Sequence, residues 1–112
     1  MTTPTEQLKE LKKIAQIRFD KERHKLAAIN DEMARLEAER KAVRKQMTDL
    51  TNGKDATPAS LMNAYAYLDS LSQKADRLAA ERLEASERTK AQREKIKTAL
   101  ASKIRVDGMD EA

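Results

Sequence analysis

The chain has no cysteine and no tryptophan, and its 112 residues include only two glycines, two prolines and one histidine. Without cysteine there is no disulfide framework, no thiolate metal site and no thiol nucleophile. Two glycines do not make a phosphate-cradling loop. The histidine, His24, stands among Glu22, Arg23 and Lys25, with no second imidazole to complete a metal site and a heptad position that points to solvent. Aromatic residues make up 3% of the chain, too few for an ordinary globular core. No apolar run approaches the roughly 20 residues of a bilayer span, and the first residues lack the apolar core of a secretion signal. These absences argue against an enzyme, a cofactor, a metal site and membrane insertion. They suit a soluble, cytoplasmic protein.

What the chain does have is charge and period. Charged residues make up 38% of it and hydrophobic residues 39%, the composition of long, solvated helix. In the first half Leu26, Ile29, Met33, Leu36, Val43, Met47 and Leu50 recur by threes and fours, with Arg40 in the one interrupted slot. That is an a/d seam. In the second half Leu61, Ala64, Leu68, Leu71, Ala75 and Leu78 do the same. The register continues more weakly through Arg82, Ala85, Thr89, Gln92, Ile96, Ala99, Lys103 and Val106.

Start and stop signals bound the two tracks. Thr3-Pro4-Thr5-Glu6 supplies a capping hydroxyl, a proline at the first helical position and a glutamate three residues after the cap. Asn52-Gly53 closes the first helix, and Thr57-Pro58 repeats the cap-then-proline start. The pattern predicts an all-α fold, an antiparallel two-helix coiled-coil hairpin and a single domain. Helix one covers about 4–51, a turn about 52–57, helix two about 58–105, and a disordered acidic tail 107–112. Even pairing about that turn sets Leu50 by Leu61, Val43 by Leu68, Leu36 by Ala75 and Met33 by Leu78. Toward the termini it sets Ile29 by Arg82, Leu26 by Ala85, Glu22 by Thr89, Phe19 by Gln92 and Ala15 by Ile96. The terminal half is polar and poorly matched, and the open end is expected to fray or to await a partner.

The net charge of +4 is unevenly placed. Residues 1–25 and 86–106 together hold fourteen basic and six acidic groups, whereas 26–85 hold nine and ten. The plain account of such runs is a solvated helix face with i,i+4 pairs. The functional account is a basic end that meets an acidic surface. In the same half, Leu11, Ile14 and Ile17 fall off the first seam and Leu100 and Ile104 off the second. They form either a broader local pairing, a homodimer that closes a four-helix bundle, or a docking stripe for a different protein. Arg18 and Arg93 stand beside them. Tyr65 and Tyr67 flank the seam just after the turn, where their rings either cap the core beside Met47 and Val43 or serve as anchors for a partner. Nucleic acid ranks lower, because Glu6, Glu10, Asp20, Glu22, Glu87 and Glu94 interrupt the basic residues and Phe19, on the seam, is not free to stack a base.

A long basic-acidic helix, a short turn, and a second helix opening with Thr57-Pro58-Ala59-Ser60-Leu61 and continuing to Tyr65-Ala66-Tyr67-Leu68 resembles the flagellar FliJ and type III secretion YscO stalk family. The resemblance covers nearly the whole chain as a pattern and includes no diagnostic motif. It implies a small cytoplasmic hairpin like the rotor stalk of the rotary ATP synthase. Such a protein inserts into or beneath a hexameric export ATPase, couples it to the membrane export gate and handles export chaperones. The alternative is a scaffold or adaptor coiled coil of another assembly.

Overall fold

The computed structural model describes residues 3–52 and 58–109. The protein is an all-α helical hairpin of coiled-coil type, built from α1 (Pro4–Thr51) and α2 (Pro58–Asp107). The first cap forms as its residue types dictate. The Glu6 amide donates to the Thr3 hydroxyl at 3.2 Å, and the Thr3 amide donates to Glu6 Oε2 at 3.3 Å. This reciprocal box satisfies amides that have no partner within the helix. At the other end of α1 the Thr48 and Thr51 hydroxyls donate back to the carbonyls of Arg44 and Met47. Gly53 and Thr57, assigned above to the turn and the second cap, lie outside the described residues.

α2 runs further than the sequence pattern indicated. Asp107 is its last helical residue rather than the first residue of a disordered tail. The Lys103 ammonium holds the Asp107 carboxylate at 2.8 Å, and the Gly108 amide still donates to the Ile104 carbonyl at 3.0 Å. This i,i+4 lysine–aspartate pair spans the last turn of α2, beside the half-buried Val106. Asp110, Glu111 and Ala112 lie outside the described residues.

The chain divides into two compact units, one of Met1–Asn30 with Glu87–Ala112, the other of Asp31–Ser86. The turn-side unit, Asp31–Ser86, holds the apolar core. Leu36, Val43, Leu71, Leu78 and Ala85 are buried there, with Met33, Met47, Leu50 and Ala75 packed against them. These are seam residues, so the heptad reading carries over into burial. Each large side chain removed from water contributes roughly 1.5–3 kcal/mol. Arg40 occupies its slot half-buried, lying along the seam while its guanidinium stays 3.6 Å from Glu37.

The even pairing is displaced in this unit. Arg82, expected beside Ile29, bridges to Glu37 at 3.2 Å, about two turns further along α1. The first turns of α2 do not pack against α1 as the even pairing requires. Leu61, expected against Leu50, is 42% exposed, and every residue from Ala59 to Asn63 is open to solvent. The same displacement removes the tyrosines from the core, because Tyr65 and Tyr67 do not cap Met47 and Val43 but stand exposed.

The chain-end unit has a different interior. Its buried residues are Leu8, Ala15 and Ala99 with the polar Thr89 and Gln92. Phe19, Leu26, Ile29, Ile96 and Val106 are half-buried. The seam again picks out the correct faces, but its side chains are small or polar, so less apolar area leaves water than in the turn-side unit. Leu8, one heptad before Ala15, belongs to this interior and was not picked out by the sequence pattern.

Candidate partner-binding site

Of the nine residues nominated from sequence, seven lie in the chain-end unit: Leu11, Ile14, Ile17, Arg18, Arg93, Leu100 and Ile104. All seven are exposed. Ile14 and Ile104 each expose 62% of their surface, more than an isoleucine at a packed helix pair retains. On α1, Leu11, Ile14 and Arg18 step by three and four and share one face, while Ile17 lies about 120° round from Leu11. On α2, Arg93, Leu100 and Ile104 share another face with the exposed Lys97.

These two faces do not form one patch. A cleft of about 380 Å³ is lined by Arg18 and Glu22 of α1 and by Glu94, Lys95 and Thr98 of α2, which places Lys95 on the Arg18 side. Leu100 and Ile104 are five and nine residues beyond Lys95, about 140° and 180° round the helix. The α1 stripe and the α2 stripe therefore occupy opposite sides of the helix pair in this unit. The sequence located the apolar excess in the correct segments but had no means of assigning sides. It also missed Lys95 and Thr98, whose only signal is their flanking of the seam residues Gln92 and Ala99.

Between the stripes the interior is pinned by a polar contact. Gln92 Nε2 donates to the Glu22 carboxylate at 2.6 Å and to the Glu22 backbone carbonyl at 2.9 Å. The even pairing put Phe19 there, one turn away. The Glu22 side chain is 14% exposed, and Lys25 lies 3.5 Å from its other oxygen. The Gln92 hydrogen bond, outweighing partial desolvation and helped by Lys25 and Lys95, holds the Glu22 carboxyl below its ordinary value. A carboxylate so bonded is stabilised in its charged form. Phe19 carries the Arg23 guanidinium 5.5 Å above its ring, a stacking that covers its apolar face.

Set against models of known protein families, curated proteins and solved structures, the chain matches none of them. His24 is exposed on α1, and no group of three or more acidic, histidine or cysteine side chains converges among the described residues. No described helix is long and apolar enough to cross a membrane. What the chain-end unit offers is two exposed apolar stripes, each bordered by arginine or lysine, on a helix pair held in register by Gln92.

Tyr65 and Tyr67, the remaining nominated residues, lie in the turn-side unit. Tyr65 is 68% exposed, beside the exposed Leu61 and Met62 on the first turns of α2.

Proposed function

We propose that the chain is a non-enzymatic, cytoplasmic coiled-coil interaction protein that docks through the flanks of its chain-end unit. Its partner is a protein with an acidic, partly apolar surface. The supporting observation is the exposure of Ile14 and Ile104 beside Arg18 and Arg93. An isoleucine left in water forgoes roughly 1.5–3 kcal/mol of burial that a partner can supply. Basic neighbours raise the encounter rate with an acidic surface and set its orientation. A helix pair also has few concave, water-excluding sites in which catalytic groups are tuned.

The resemblance to the FliJ and YscO stalks gives this reading its specific form: a central stalk that couples a hexameric export ATPase to the export gate, with export chaperones as further partners. The test is titration of the chain into the export ATPase of its source organism, with Ile14→Asp, Arg18→Glu, Arg93→Glu and Ile104→Asp as variants. Binding that weakens with these changes and with rising salt supports the stalk. If the ATPase fails to bind while another acidic protein binds with the same dependence, the docking surface stands and the stalk assignment falls. If no variant alters any interaction of the chain, the docking surface falls as well.

A further inference from the structure

The turn-side unit carries a second feature that the seam does not consume. Two connected hollows of about 530 Å³ and 360 Å³ lie between α1 and α2 and share Arg40 and Ala79. Together they form one groove reaching from Met33 and Ser86 to Thr51 and Ala75. Small side chains create it: Ala75 and Ala79 stand where larger residues would fill the space beside Met33 and Met47. Leu83, on its rim, is exposed. The apolar floor has a basic border of Arg40, Arg44 and Arg82, against one carboxylate, Asp76, among the described lining residues.

Arg40 and Arg82 both reach Glu37 Oε2 through one nitrogen each, at 3.6 Å and 3.2 Å. A guanidinium has five N–H donors, so one shared oxygen leaves both arginines able to meet further carboxylates.

We propose that this groove seats one amphipathic α-helix of a partner protein, its apolar face on Met33, Met47, Ala75, Ala79 and Leu83 and its flanking carboxylates on Arg40, Arg44 and Arg82. The stretch of α1 from Met33 to Thr51 is about 27 Å long, enough to pair with roughly five turns of a third helix. Methionine adapts to such a surface better than branched residues do. Charge decides among the occupants. A second copy of this chain would bring the stripe of Arg18 or that of Arg93 and Lys97 against three arginines, and like charges repel. A nucleic-acid backbone would satisfy the arginines but leave the apolar floor unfilled. An acidic amphipathic helix satisfies both.

This surface is independent of the chain-end stripes. The test is fluorescence anisotropy of the full chain with a labelled 21-residue helical peptide bearing leucine and alanine on one face and glutamate along both flanks. The wild-type chain is expected to bind it saturably. Ala79→Trp, which fills the hollow, and Arg44→Glu, which reverses an exposed charge, are each expected to weaken binding by about tenfold or more. Lys13→Glu, which reverses an exposed charge outside both chain-end stripes, is expected to leave it unchanged, and a peptide with lysine in place of glutamate is expected not to bind. Circular dichroism of each variant confirms the hairpin; if Ala79→Trp unfolds, Arg44→Glu carries the test. Three outcomes overturn the proposal: no binding, equal binding of the lysine peptide, or binding that survives the substitutions that fold. Sedimentation showing a dimer that Ala79→Trp or Arg44→Glu dissolves also overturns it, in favour of a second copy.

Discussion

Gln92 and Glu22 meet across the helix pair through two hydrogen bonds from one amide nitrogen, to the carboxylate at 2.6 Å and to the backbone carbonyl at 2.9 Å. In a seam of small and polar side chains this contact is specific where apolar packing is not, because an amide has fixed partners and a methyl group does not. It holds α1 and α2 in one longitudinal position within the chain-end unit. A single buried polar residue sets register in other coiled coils at a cost in stability.

Replacing Gln92 with alanine is expected to raise the Glu22 carboxyl toward its ordinary value and to lower the midpoint of urea unfolding. Carbon-detected NMR titration of Glu22 and chemical denaturation check the two effects. Gln92→Leu is expected to recover apolar burial yet still release Glu22. Hydrogen exchange at Glu22 and its neighbours would then rise, even if global stability does not fall.

Acid is expected to weaken the chain-end unit. A carboxyl whose folded value lies below 4.5, its unfolded reference, contributes stability that is fully present above that pH. The contribution is lost as pH falls from 4.5 through the lower folded value. Melting temperatures measured between pH 7 and pH 2.5 should show that step in the wild type. The step should be smaller in Glu22→Gln, which has no proton to take up.

Leu36→Ala is expected to destabilise the hairpin by about 2–5 kcal/mol, because Leu36 is almost fully buried in the apolar cluster of the turn-side unit. Leu61→Ala should change stability by about 0.5 kcal/mol or less, despite an equivalent place in the heptad, because the side chain is already exposed. Urea denaturation of the pair distinguishes the observed pairing from the even one, in which both leucines would matter alike.

Thr3→Ala removes one half of the capping box and leaves the Glu6 amide to water. The expected loss is about 0.5–1 kcal/mol, the low end for a cap, since both residues are exposed. Amide exchange should rise in the first turn of α1 and remain unchanged beyond it.

Much of this molecule was legible as pattern. The proline starts at Pro4 and Pro58, the box of Thr3 and Glu6, and the spacing of Leu36, Val43, Leu71 and Leu78 are local or periodic features. They determine where helices begin and which stripe of each helix leaves water. The excess of apolar and basic residues near both termini was equally visible, because composition along a chain does not depend on its folding.

The tertiary structure decided the longitudinal register and the side each exposed residue takes. A heptad seam looks the same after a slide of one repeat, so apolar spacing cannot tell Leu50 whether to meet Leu61 or a residue further along α2. The contact of Gln92 with Glu22 breaks that degeneracy in the chain-end unit, and it joins residues far apart in sequence. The folded chain also leaves Leu61 and Tyr65 exposed, contrary to the even pairing. Which face of the pair Leu11 or Ile104 occupies depends in turn on the rotation of each helix about its own axis, which no single helix's spacing specifies but side-by-side packing does.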